Sequence, residues 1–360
     1  MRRARRMKAS AQAVALLLAG SMALAACASD EPDTDAAAGG DGGGASCEEL
    51  QVGLAYDEGG RGDRSFNDSA YTGAAAATDA LGGDLQELSP NDDASNRDQL
   101  LTQLAEQGFD PVIAVGFAYD EVIGEVAPQF PETTFAQVDG SNADGSKGEN
   151  VTGLIFAEEE GSFLAGVAAA LKTETDHIGF VGGVESPLIE KFEAGYVAGA
   201  RAVNPDIIID RQYISPAGDF SGFSDPARGQ IVAQGMYDAG ADIVYHAAGG
   251  SGLGVFQAAA DSGARAIGVD SDQYLTVSDP ALQAVIMTSM LKRVDNAVEQ
   301  FITDYCEGTV EGATDRLNDL STGGVGLATS GGFIDDIQDE LEQYEQQIID
   351  GTIEVPTTIE

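Results

Sequence analysis

The 360-residue sequence is short of positive charge. Eighteen lysines and arginines face 60 aspartates and glutamates, a formal charge of −42. So acidic a chain cannot neutralise a phosphate backbone, which excludes nucleic acid as a partner. There are two histidines, His177 and His246, and neither has a cysteine or a carboxylate at metal-ligand spacing, so no metal site is expected. Tryptophan is absent. The glycine-rich stretch Ala248-Gly249-Gly250-Ser251-Gly252-Leu253-Gly254 lacks the lysine of a phosphate loop, misses the dinucleotide-binding spacing, and carries Leu253 where a nucleophile elbow needs its last glycine. No cofactor is expected. The apolar run over residues 11–20 is too short to span a bilayer.

What precedes and follows that run is informative. Five positive charges lie within residues 1–8, and the run ends in Leu24-Ala25-Ala26-Cys27, a small-residue cleavage site with cysteine directly after it. This resembles the lipobox of bacterial lipoproteins. Residues 1–26 then form a signal peptide, and Cys27 becomes the lipidated first residue, anchoring the chain to the extracytoplasmic face of the cell membrane. Residues 27–46 hold five acids and five glycines but no base and no large apolar side chain, the composition of a disordered tether. Processing removes five bases and no acid, so 13 bases face 60 acids and the formal charge becomes −47. The two other cysteines, Cys47 and Cys306, are compatible with one disulfide in an oxidising compartment or with two free thiols.

From Cys47 onward about 310 residues remain, enough for two domains with real cores. Apolar strand-like runs at 51–56, 111–115, 134–138, 177–181, 242–245, 264–269 and 283–288 alternate with helical stretches. Such alternation implies parallel βαβ units, an α/β fold. Phe66, Ala70, Ala74, Ala77 and Leu81 form one helical core stripe, and Val294, Ala297, Val298 and Phe301 another. The strands outnumber one sheet, so two lobes are expected. The first takes residues 47–156 plus about 278–310, the second 157–277 plus about 311–335, and residues 336–360 form a C-terminal helix and tail. Several chain crossings make a hinge, with the ligand in the interlobe cleft.

The segment over residues 52–71 runs from a strand through a glycine-rich turn into a helix, with Ser65 and Asp68 spaced as a capping box. It delivers Asp57 and Phe66 to the carboxyl end of a sheet, where open α/β folds bind ligands. Gly249, Gly250 and Gly252 allow backbone amides to approach a neutral ligand. Further polar or aromatic groups follow other strands: Asp270-Ser271-Asp272-Gln273, Ser289-Met290-Leu291-Lys292, and Gly218-Asp219-Phe220-Ser221-Gly222-Phe223-Ser224-Asp225-Pro226. Singly, each has a plainer use as a cap, a solvated lysine or packing beneath a loop.

These residues together, with Ser65-Phe66-Asn67, Leu164-Ala165-Gly166 and the Gly249 to Gly254 loop, resemble the basic membrane protein family, lipoprotein substrate-binding components of ABC transporters, over nearly the whole mature chain. The resemblance implies a monomeric, two-lobed type I periplasmic-binding-protein fold that clamps a nucleoside with a purine base and presents it to a membrane permease. Phe66 and one of Phe220 or Phe223, preferably Phe223, would sandwich the base. Asp57, Asn67, Asp270 and Lys292 match the family's polar positions, with Asp139 a further polar contact. Tyr71 stands where many members have tryptophan. A sugar-binding or signal-binding protein of the same architecture is the alternative, and a nucleoside hydrolase a more remote one. No catalytic residue is expected.

Overall fold

The structure, a computed structural model, describes residues 47–91 and 94–359. The expected signal peptide, Cys27 and the tether lie outside the described residues.

Twelve strands are formed among the described residues. They are β1 (Gln51–Ala55), β2 (Asp84–Leu88), β3 (Val112–Val115), β4 (Phe135–Val138), β5 (Val151–Phe156), β6 (His177–Val184), β7 (Ile208–Ser215), β8 (Ile243–Ala247), β9 (Arg265–Asp270), β10 (Ile286–Lys292), β11 (Thr314–Asn318) and β12 (Val325–Leu327). The helices are α1 (Phe66–Leu81), α2 (Arg97–Glu106), α3 (Asp120–Val126), α4 (Glu158–Lys172), α5 (Pro187–Val203), α6 (Pro226–Ala239), α7 (Gly252–Ser262), the single turns α8 (Gln273–Thr276) and α9 (Pro280–Gln283), α10 (Val294–Glu307) and α11 (Gln338–Ile349). None of these is long and apolar enough to cross a membrane.

The strands form two six-stranded sheets, ordered β2-β1-β3-β4-β5-β11 and β7-β6-β8-β9-β10-β12. Every neighbouring pair is parallel except β10 with β12. Helices cover both faces of such sheets, so central strands such as β3, Val-Ile-Ala-Val, are buried at every residue. Each sheet thus repeats one doubly wound order, whose direction reverses between its first and third strands. Those switch points, β1/β3 and β6/β8, open crevices at the carboxyl ends of the strands.

Two expectations about the lobes change. Residues 278–310 do not return together to the first lobe: β10 pairs with β9 in the second sheet, and the chain crosses only after Lys292. In the sequence the run looks finished at Thr288 because Ser289 and Lys292 are polar. Both are buried, however, and Thr288 donates its hydroxyl to the Ala328 carbonyl. Helix α10 does return, and the Asp295 amide donates to Ser69 Oγ on α1. The segment after it also departs from expectation, since β11 pairs with β5 of the first sheet before β12 crosses back. Three crossings therefore form the hinge, after β5, β10 and β11.

Cys47, in the 3₁₀ turn Cys47–Glu49 ahead of β1, and Cys306, near the end of α10, form a disulfide with Cα atoms 5.4 Å apart. In the second lobe α4 and α5 lie in very close contact, because a Cβ on Gly199 would stand 1.9 Å from the Phe163 carbonyl oxygen. The C-terminal helix α11 buries Leu341 and sets Tyr344 5.8 Å from the Phe163 ring. Of the first core stripe, Ala70, Ala74 and Ala77 are buried as expected, whereas Phe66 at the helix start is only partly covered.

Candidate functional site

The turn after β1 is organised by Asp63. Its carboxylate accepts from the amides of Ser65 at 3.0 Å, Asn67 at 2.8 Å and Asp68 at 3.1 Å, satisfying the free donors at the start of α1. The expected capping box is therefore not formed. Ser65 makes no side-chain cap and instead donates its hydroxyl to the Asp270 carboxylate of the other lobe, while Asp68 accepts from the Gly62 and Arg64 amides. Burial pushes the Asp63 carboxyl up to about 6 although its three amide donors favour the ionised form.

Asn67 locks this turn to the strand end, accepting from the Asp57 amide at 3.0 Å. Asp57 is itself buried, and its Oδ1 accepts from the Glu58 amide at 2.8 Å and from Arg97 Nη2 at 3.1 Å. Its pKa is raised by burial, with the Arg97 charge pulling the other way. The carboxylate has room because the residue after β3 is Gly116, at φ 107°, where a Cβ would meet Asp57 Oδ2 at 2.1 Å.

The second lobe offers the opposite wall. Phe223 closes a short 3₁₀ turn, Phe220–Phe223, and lies over Gly183, whose missing Cβ would come within 2.4 Å of the ring. Gly249, after β8, backs the same residue, and a Cβ on either Gly249 or Gly250 would fall 3.3 Å from the Phe223 carbonyl oxygen.

Between the lobes stands Lys292, 1 % exposed at the end of β10. Its Nζ pairs with Asp139 Oδ1 at 2.6 Å and Glu158 Oε1 at 3.1 Å, and lies 5.0 to 5.4 Å from the ring centres of Phe66, Phe156 and Phe192. Burial disfavours the ammonium, but the charges of Asp139, Glu158 and Asp270 more than reverse this and raise its pKa. Asp139 goes up to about 7, driven by burial and only partly relieved by Lys292. Asp139 and Asp270 both adopt left-handed backbone conformations, with φ 64° and 63°, at the ends of β4 and β9. Such conformations are uncommon for side-chain-bearing residues and cluster at functional sites.

These groups surround one cleft, with about 540 Å³ of empty space reckoned out to its open mouth. Phenylalanine rings from both lobes give it flat apolar walls, and buried carboxylates give it hydrogen-bond acceptors. That combination suits a neutral, flat-ringed molecule rich in N–H and O–H donors.

Residues 50–358 match the Bmp family, described as ABC transporter substrate-binding protein PnrA-like. The chain belongs to the Bmp family. It is 37 % identical to the CD4+ T-cell-stimulating antigen of Listeria monocytogenes, over 96 % of this chain and 98 % of the relative. With the ABC transporter nucleoside-binding protein BmpA of Lactococcus lactis it shares 35 % identity, over 86 % and 90 %. The fold is that of type I periplasmic binding proteins. An ABC transporter solute-binding protein from Aeropyrum pernix superposes with a TM-score of 0.73 at 28 % identity, covering 86 % and 94 % of the two chains. As a Bmp-family substrate-binding protein, this chain takes up its ligand outside the cytoplasm.

Within this Bmp-family cleft, Asp57, Phe66, Asn67, Asp139, Phe223, Gly249, Gly250, Asp270 and Lys292 all line the space. Gly252 does not. Its Cα faces the His246 ring, which a Cβ would meet at 2.0 Å, so this glycine serves packing. His246 is buried, hydrogen-bonded through Nε2 to Gln273 at 3.1 Å, and burial pushes it down to about 4. Phe220 sits behind the cleft wall, 5.5 Å from Phe117. Sequence reasoning misses Glu58, Asp63, Phe117 and Phe192, which also line the cleft, and the buried Glu158 and Arg97. Phe117 carries a usable signal, since it follows a strand and a glycine. Glu158 belongs to a triplet of acids that reads as a solvated helix start, and nothing in the local pattern singles out Arg97.

Proposed function

We propose that this protein binds a nucleoside, with a purine base, between its lobes and delivers it to an ABC permease while tethered to the membrane through a lipid on Cys27. The observation that carries the reading is the presence of Phe66 and Phe223, from opposite lobes, in one cleft that also holds the carboxylates of Asp57, Glu58, Asp63, Asp139 and Asp270. A base has two apolar faces, and stacking contributes about 1 to 3 kcal/mol per base. Ribose hydroxyls are donors, and a hydrogen bond to a charged acceptor such as Asp270 contributes about 1.5 to 3 kcal/mol. Together these terms reach micromolar binding or tighter. The nucleoside-binding name of the Lactococcus relative supports the same reading.

The test is a thermal-shift panel of nucleosides, free bases and sugars. Stabilisation follows RT ln(1 + [L]/Kd), about 2.7 kcal/mol at a hundredfold excess over Kd. Purine nucleosides should raise the melting temperature, and Phe66→Ala or Asp270→Ala should abolish the shift. A response to sugars with none to nucleosides overturns the ligand. Release of free base from guanosine or inosine overturns the binding-protein role.

A further inference from the structure

One cation stands behind the cleft without lining it. Arg97, the first residue of α2, is 8 % exposed. Its Nη2 lies 3.1 Å from Asp57 Oδ1 and 3.8 Å from Glu58 Oε2, and its Nη1 donates to the Ala94 carbonyl at 3.2 Å. The guanidinium is 5.7 Å from the ring centre of Tyr119, in its own lobe, and 5.2 Å from that of Phe220, in the other. Its buried Nε has no hydrogen-bond partner among the described residues. The surroundings of this side chain are thus drawn from both lobes.

Asp57 and Glu58 are adjacent acids that both line the cleft. Burial raises the pKa of each, and Arg97 is the opposing charge for both. Among the described residues the other titratable groups near the pair are acidic or phenolic, Asp219 of the second lobe, Tyr119 after β3 and Asp63 in the same cleft, while the Ser224 hydroxyl of the second lobe donates to Glu58 Oε1 at 3.4 Å. A planar guanidinium can hold a carboxylate at one edge and stack on rings at its faces, which an ammonium cannot do in the same way.

We propose that Arg97 is a positioning residue: it fixes from behind the direction in which Asp57 and Glu58 present their carboxylates to the ligand, and its contact with Phe220 completes that arrangement only when the lobes meet. The proposal rests on the nucleoside reading only for the choice of probe.

Two measurements on the full chain test it. In the free protein, the Asp57 carboxyl is followed by carbon NMR against pH, assigned with Asp57→Asn. Its midpoint should move up by about one pH unit or more in Arg97→Gln and return in Arg97→Lys. An unmoved midpoint overturns the proposal. In calorimetric titrations with guanosine from pH 5.5 to 8.5, Arg97→Gln should bind about tenfold or more weakly, with the loss growing toward low pH. Arg97→Lys should recover the pH profile, and a loss uniform across pH overturns positioning in favour of a purely structural role. Phe220→Leu should weaken binding equally at every pH, and unchanged affinity overturns the coupling to closure. Failure of the wild type to bind any nucleoside sinks the functional reading alone, because the carboxyl titration still decides the role of Arg97.

Discussion

Replacing Lys292 by methionine keeps an unbranched stem of similar length and removes the ammonium, with its charge and its N–H donors. The side chains concerned are 1 %, 4 % and 1 % exposed for Lys292, Asp139 and Glu158. Glu158 keeps Lys191, whose Nζ is 3.2 Å away, but Asp139 is left without its partner at 2.6 Å. Breaking a buried pair by removing one member costs about 3 to 5 kcal/mol, because the remaining charge can be neither solvated nor paired.

The orphaned carboxyl can escape only by taking up a proton. Burial already pushes the Asp139 carboxyl up to about 7, against about 3.9 for an unfolded aspartate, and loss of the lysine moves it higher still. A native acid with a raised pKa costs nothing below its unfolded value and its full penalty above its native one. The penalty in Lys292→Met should therefore be largest at pH 8 and shrink toward pH 5.5. Urea unfolding followed by circular dichroism at both values measures it, provided the m-value is unchanged. Adding Asp139→Asn should recover about 2 kcal/mol at pH 8, since the uncompensated charge goes with it. A loss below about 1 kcal/mol at pH 8, or one equal at both pH values, would refute an energetically coupled charge cluster around Lys292.

Three further perturbations probe other links. Gly183→Ala puts a Cβ within 2.4 Å of the Phe223 ring, so guanosine affinity should fall about tenfold through lost stacking while the melting temperature barely moves; titration and scanning calorimetry separate the two. Gly199→Val drives a side chain into the Phe163 carbonyl, where a Cβ already falls at 1.9 Å, and should cost about 3 kcal/mol in urea unfolding with no selective effect on the cleft. Reducing the Cys47–Cys306 bond releases residues 259 apart in sequence. Chain entropy alone sets that at roughly 5 kcal/mol, so reductant or the double serine variant should lower the melting temperature sharply.

The parts of the site legible in the sequence are those written in local pattern. A strand, a glycine-rich turn and a helix start are consecutive, so the order of residues alone assigns Asp57 and Phe66 to a sheet end. Their molecular partners are not local. Ser65 has the spacing of a cap, yet Asp63 outcompetes it by reaching three amides, which frees the Ser65 hydroxyl for Asp270. β10 reads short because its polar residues are buried and satisfied inside the sheet, and hydropathy cannot tell a satisfied serine from an exposed one. The strands β2, β7 and β11 escape a periodicity reading because they lie at sheet edges with mixed exposure and weak alternation.

The acidity of the chain bears directly on how the lobes meet. The first lobe brings Asp57, Glu58, Asp63 and Asp139 to the cleft, and the second brings Asp270. Two carboxylates about 6 Å apart repel by roughly 3 kcal/mol at an effective dielectric constant of about 20, so bare acidic walls would hold the lobes apart. Among the described residues the buried lysine and arginine side chains are Arg97 and Lys292, and both stand at this cleft. Each also touches both lobes: Arg97 pairs with Asp57 and faces Phe220, while Lys292, on a strand of the second sheet, pairs with Asp139 of the first. Few as the bases are, two of them are buried where closure concentrates negative charge. Their removal should therefore affect closure as well as stability, and a ligand carrying its own negative charge would add to the carboxylates that these two cations already balance.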